Sequence, residues 1–138
     1  MFRVKWRSKI FIKSYTKKFL KITMSESIDG KIIDWREEAE AVIKDVGFAL
    51  RKIEISSTMP QSQTEIYFNI ETKERQKYCV KLSSYGFRVV SDNFDQAVDR
   101  YPDQTYYETP YALLDKYSSQ FRECFAAALE KKLSLLSS

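Results

Sequence analysis

The stretch EIYFNIETKERQKYCVKLSSYGFRVV, Glu65 to Val90, decides the fold. Ile66, Phe68 and Ile70 alternate with Glu65, Tyr67, Asn69 and Glu71, and Tyr78, Val80 and Leu82 alternate with Lys77, Cys79 and Lys81. Successive side chains of a strand point to opposite faces, so this period of two predicts two half-buried strands with one apolar face each. Phe87, Val89 and Val90 begin a third. Between them lie a charged connector, Glu71-Thr72-Lys73-Glu74-Arg75, and a turn, Ser83-Ser84-Tyr85-Gly86, in which Gly86 can take a positive φ. Connections this short cannot hold a crossover helix, so the strands form an antiparallel meander.

Upstream, Asp34 with Glu37 three residues on makes a capping box, and Glu37, Glu38 and Glu40 suit the positive end of a helix dipole. Trp35, Ala39, Val42, Val46, Ala49/Leu50 and Ile53 recur at intervals of three and four, predicting an amphipathic helix of about four to five turns. Gly47 falls inside it at about 1 kcal/mol relative to Ala. Ile53 and Ile55 then alternate with polar neighbours as a short strand before Pro60, and residues 60–64 are a polar loop. Downstream, Thr109 as N-cap and Pro110 at the first helical position start a short helix through Leu113, Leu114 and Tyr117. Ser118 or Ser119 caps a last helix of about 18 residues, with Phe121, Cys124, Phe125 and Ala128 on one face. The class is α+β: a long N-terminal helix and two C-terminal helices packed on a three- to four-stranded antiparallel meander. With 138 residues, one domain over 31–138 and a basic N-terminal extension over 1–30, without fixed structure, account for the chain.

Charge is divided along the sequence. Residues 1–23 carry eight cations and no acid, leaving the other 115 residues with 15 basic and 19 acidic side chains. An acidic body is a poor binder of phosphate backbones, which argues against nucleic acid as its partner. The arm has three readings: a loose extension or sequence upstream of a start at Met24, a transit-type segment for mitochondria, or an amphipathic stripe (Phe11/Ile12, Tyr15, Phe19, Ile22) lying on an anionic membrane. No apolar run approaches about 18 residues, so none of the chain is expected to cross a membrane.

The sequence offers little for catalysis. It contains no His, which removes His-based nucleophile systems, His metal sites and imidazole acid–base chemistry. Its three Gly are far apart, so no phosphate-cradling loop can be built, and Cys79 and Cys124 have no CxxC spacing. Asp92/Asp95 and Asp99/Asp103 lie in a polar loop where solvation or capping explains them, and Ser118-Ser119 without a base is a cap. Cys79 and Cys124 read as small buried hydrophobes. Tyr106-Tyr107 reads as core or rim. No enzyme, cofactor or metal is expected.

Binding remains. In the last helix Phe125, Leu129, Leu133 and Leu136 are spaced by four, four and three, the ladder of a helix that drops one face into a groove. Packing on the domain's own core is the competing reading. Against it, Phe121 and Ala126-Ala127-Ala128 supply a second surface for the sheet, and Leu133, Leu135 and Leu136 run past the reach of five- to six-residue strands.

Several runs match a known family: Glu38-Ala39-Glu40-Ala41-Val42, Asn69-Ile70 with the ETKER run to Arg75 and then Tyr78-Cys79, Phe94-Asp95-Gln96, Tyr107-Glu108-Thr109 with Tyr111, Leu113-Leu114-Asp115 and Arg122-Glu123. Over about residues 34–136 the chain resembles the glycogen synthase kinase-3 interaction proteins. The resemblance implies a small non-enzymatic scaffold whose C-terminal helix binds glycogen synthase kinase-3 and can inhibit it, in the manner of the docking helix of axin in Wnt signalling. Phe125, Leu129, Leu133 and Leu136 take the apolar positions of that helix and Lys132 its basic one, while Glu130 stands where the family has an aliphatic residue. The resemblance also implies anchoring of the type II regulatory subunit of protein kinase A on the first helix, at Ala39, Val42, Ile43, Val46 and Leu50. There Gly47 replaces a bulky apolar residue and Arg51 follows, so core packing is the preferred reading of that helix. The resulting expectation is a cytoplasmic adaptor, with a nuclear pool or mitochondrial targeting by the arm left open. Kinase A anchoring, or a membrane- or mitochondria-directed module, is the alternative.

Overall fold

The computed structural model describes residues 34–137, with side chains to residue 136, so the basic extension lies outside the described residues. Helix α1 (Trp35–Val46) starts at Asp34, whose carboxylate accepts from the Arg36 and Glu37 amides. It is shorter than the periodicity predicts. At Gly47 the α-helix gives way to a 3-10 turn (Gly47–Ala49), and Leu50 is already extended. The apolar spacing continues through this change because a 3-10 turn and an extended residue carry Ala49 and Leu50 back to the same core. Helix propensity at Gly47 is the weak point where the α-helix stops.

Four strands follow: β1 (Lys52–Ile55), β2 (Glu65–Glu71), β3 (Lys77–Ser83) and β4 (Gly86–Ser91). They form one antiparallel sheet in chain order, with Ile53 opposite Ile70, Phe68 opposite Val80 and Leu82 opposite Phe87. The fold class is therefore the expected α+β meander, with all four strands. Helices α2 (Pro110–Tyr117) and α3 (Ser119–Ser137) complete it, and Thr109 Oγ1 accepts from Ala112 N–H at the head of α2.

The apolar set of the strands, Ile66, Phe68, Ile70, Val80, Leu82, Phe87 and Val89, packs with Trp35, Ala39, Val42 and Val46 of α1 and with Leu113, Leu114 and Phe121. One helical layer thus covers one sheet face. The opposite face departs from the simple alternation: Tyr67, Asn69 and Cys79 are buried as well. The segment after β4 closes over them, with Asp95 accepting from Asn69 Nδ2 and from the Ser56 hydroxyl while its own N–H donates to Asn69 Oδ1. At the edge of β4, Phe87 and Tyr107 exchange backbone hydrogen bonds of 2.8 and 2.7 Å. Gly86 makes that approach possible: its φ is +120°, and a Cβ there would strike the Tyr107 carbonyl oxygen.

Candidate functional site

The ladder residues sit on α3, and what fixes the root of that helix lies 44 residues upstream in the ETKER turn. Ser118 caps the helix, its Oγ accepting from Phe121 N–H at 2.9 Å, and it donates to Glu74 Oε1 at 2.7 Å. Glu74 Oε2 accepts from Gln120 N–H at 2.8 Å and from the Ser119 hydroxyl at 3.1 Å. The β2–β3 turn presents Glu74 by taking Arg75 to a φ of +70° and closing hydrogen bonds between Thr72, Arg75 and Gln76. The carboxylate thus satisfies the Gln120 amide, and the Ser118 hydroxyl that of Phe121, while the negative charge meets the positive end of the α3 dipole. Burial alone would push the Glu74 carboxyl up. The donors from Gln120, Ser118 and Ser119 overcome it and hold the group at about 2. The local sequence predicts only a serine cap; the long-range partner left no signal that spacing could reveal.

From this root the helix divides in two. Phe121 is 1% exposed and belongs to the core. Phe125 is half-buried, its ring 5.0 Å from that of Tyr111 and 5.7 Å from that of Phe121. Arg122 holds α3 to α2 through the Asp115 carboxylate at 2.9 Å and the Asp115 carbonyl at 2.7 Å. Leu129 is half-buried, and every residue from Glu130 to Leu136 is exposed. Leu133 is 51% and Leu136 76% exposed. At about 1.5 Å per residue, those last two turns carry the ladder roughly 10 Å along the axis beyond the packed part. With 3.6 residues per turn, Phe125, Leu129, Leu133 and Leu136 fall within an arc of about 80°, and Lys132 lies beside it. Ala126 and Ala127 do not pack on the body as expected: both are exposed, because Phe121, Cys124 and Phe125 already turn the inner face of α3 to it.

The second set of candidate residues is placed differently. Ala39, Val42, Val46 and Leu50 are buried in the main core and Ile43 packs against its margin. Leu50 lies beyond the end of α1, so these five positions do not form one continuous helical stripe.

The acidic pairs are separated by their partners. Asp92 accepts from the Tyr101 hydroxyl, and Asp103 accepts from those of Tyr107 at 2.8 Å and Tyr117 at 2.6 Å. Burial opposes ionisation of Asp103, but the Tyr117, Thr105 and Tyr107 donors outweigh it and hold the carboxyl well below its usual range. These carboxylates act as structural acceptors for half-buried tyrosines. Cys79 is buried and its thiol is pushed up by burial. Among the described residues no group of acids and cysteines is arranged to hold a metal ion, and no helix is long and apolar enough to cross a membrane.

The family model of the GSKIP domain matches residues 35–136. The chain belongs to the GSKIP-domain family. It is 44% identical over 108 residues to the GSK3-beta interaction protein of Gallus gallus, covering 78% of this chain and 77% of that protein. It is 46% identical over 104 residues to the GSK3B-interacting protein of Mus musculus, and 44% over 103 residues to that of Homo sapiens, each match spanning 75% of this chain and 73% of the relative. The GSKIP domain begins at the first residue of α1 and ends one residue short of the end of α3, so the exposed turns of α3 are part of the family's domain.

Proposed function

We propose that this GSKIP-domain chain is a non-enzymatic adaptor that binds glycogen synthase kinase-3 by laying the outer half of α3 into an apolar groove of the kinase. Leu129, Leu133 and Leu136 supply the inserted side chains, Phe125 the inner end of the stripe and Lys132 the accompanying cation. The observation that carries the reading is the exposure of Leu133 and Leu136 on a helix whose root is clamped by Glu74 and Arg122. A pre-formed helix with a fixed exit direction loses less conformational entropy on docking than a disordered peptide does. The names of the relatives support the identity of the partner. Occupancy of the groove displaces other helices that use it, axin's among them, and so lowers phosphorylation of their clients. Glu130 on the neighbouring arc weakens the contact relative to an aliphatic residue.

Leu133→Pro tests the proposal, since a proline here breaks the outer turns while leaving the clamped root. Capture of GSK3-beta from solution is expected to be lost, and undiminished capture refutes the assignment. Anchoring of a protein kinase A regulatory subunit is left out, because Ala39, Val42, Val46 and Leu50 would have to leave the core at about 1–3 kcal/mol for each larger side chain. Micromolar or tighter binding of peptide 33–53 to the regulatory subunit's docking domain would reinstate it. The proposed site of action is the cytoplasm, and a fluorescent protein carrying residues 1–23 that moved to mitochondria would redirect it.

A further inference from the structure

On the sheet face turned away from the helices, Lys81 of β3 and Arg88 of β4 stand directly opposite each other. Both lie over one ring: Lys81 Nζ is 5.6 Å and Arg88 Cζ 5.2 Å from the centroid of Tyr106. Tyr85, 77% exposed, sets its own ring 5.7 Å from that of Tyr106. Like charges directly opposite in an antiparallel pair repel, and both cations are half-buried, which removes part of their hydration. Yet neither forms an ion pair among the described residues, whereas Arg36, Arg51, Lys52 and Arg122 do. Arg88 Nη1 donates to Gln104 Oε1 at 2.7 Å, a neutral acceptor, and its buried Nε has no acceptor among the described residues.

The far end of the same face is built in the opposite way. Lys52 and Lys77 flank the ring of Phe94 at 5.7 and 5.2 Å. There Glu54 pairs with Lys52 at 3.7 Å, and Glu71 stands in register with both lysines. At the Lys81 end the acid on this face, Glu65, accepts the Tyr67 hydroxyl at 2.8 Å. One end of the face thus has an ion pair, whereas at the other Glu65 stands near Lys81 and Arg88 without forming one among the described residues.

We propose that Lys81 and Arg88, rimmed by Tyr85 and Tyr106, bind a peptide segment phosphorylated on serine or threonine. A phosphate monoester brings close to two negative charges and three acceptor oxygens, matching two adjacent cations, whereas a carboxylate would neutralise one. The exposed tyrosine rings form a ledge for the peptide beside the phosphate. A nucleic acid is the poorer match, because the chain beyond the basic arm carries a net charge of −4 that repels a polyanion but tolerates one local dianion. The site is on the face opposite α3 and does not depend on kinase docking, so a docked kinase and a phosphorylated protein can be held together.

The test is a titration of the isotope-labelled full chain, followed by amide chemical shifts, with a sequence-degenerate phosphoserine peptide pool. Its unphosphorylated and glutamate counterparts, inorganic phosphate and oligothymidine are run at equal ionic strength. Saturable shifts at Lys81, Tyr85, Arg88 and Tyr106 are expected with the phosphopeptides, at affinities roughly tenfold or more above those for the glutamate pool, as expected for a second charge-assisted contact. The K81Q/R88Q variant, with α3 resonances unmoved as the folding control, is expected to lose them, and R88K to weaken them. The absence of saturable shifts at these residues overturns the proposal. So do equal affinity for glutamate peptides or free phosphate, tighter binding of oligothymidine, or full binding by K81Q/R88Q.

Discussion

Truncating Leu133 to alanine separates a docking role from a structural one. Leu133 is 51% exposed on the outer turns of α3, so the free protein has little to lose: stability is expected to change by no more than about 0.5 kcal/mol. If the kinase buries this side chain, the complex loses the transfer free energy of the deleted carbons, about 2 kcal/mol at roughly 0.8 kcal/mol per methylene. That corresponds to about a 30-fold rise in Kd for the kinase. Phe121→Ala, about three turns nearer the root and 1% exposed, is the mirror image, with a fold destabilised by about 3–5 kcal/mol. Titration calorimetry against GSK3-beta, run beside thermal unfolding of each variant, reads both quantities. The reasoning fails if Leu133→Ala binds within about twofold of the parent, a change of less than 0.5 kcal/mol. It fails equally if Leu133→Ala lowers the unfolding midpoint as far as Phe121→Ala does.

Glu74→Gln keeps the shape of the clamp and removes its charge, and is expected to cost about 1 kcal/mol and to speed hydrogen exchange in the first turn of α3. Because the folded-state carboxyl is held at about 2 against an ordinary 4.5, its contribution is complete above pH 4.5 and is lost as pH falls towards 2. Urea midpoints measured across that window should therefore fall less steeply in Glu74→Gln than in the parent. At the alkaline end, burial, reinforced by donation to Glu65 and Asp103, pushes the Tyr67 and Tyr107 hydroxyls up to about 12. Their folded values are raised, so stability is intact below pH 10 and declines as pH rises towards 12, and the share of tyrosinate absorbance that Tyr67→Phe and Tyr107→Phe remove should appear only as the chain unfolds. Gly86→Ala places a Cβ against the Tyr107 carbonyl at a φ of +120°, with an expected cost of about 2–3 kcal/mol and faster exchange of the Phe87 and Tyr107 amides.

Alternation between Glu65 and Val90 was enough to determine β2 to β4, their order and the face each turns to the main core, because strand periodicity is local and short connections permit only an antiparallel meander. The caps at Asp34 and Thr109 were legible for the same reason, and the third to within Ser118 or Ser119: each cap bonds an amide within three residues. Helix α1 was overextended at Gly47, where apolar spacing alone does not distinguish an α-helix from a 3-10 turn followed by an extended residue. The spacing of Phe125, Leu129, Leu133 and Leu136 likewise described a stripe without saying what covers it. Only the tertiary structure decided that Ala126 and Ala127 stay outside the packing that Phe121 enters, that Phe125 rests on Tyr111 and that Leu133 and Leu136 remain exposed. It also joined Glu74 to Ser118 and set Lys81 and Arg88 side by side with no ion pair among the described residues, since burial and long-range partners depend on where distant segments meet and not on the period of any one of them.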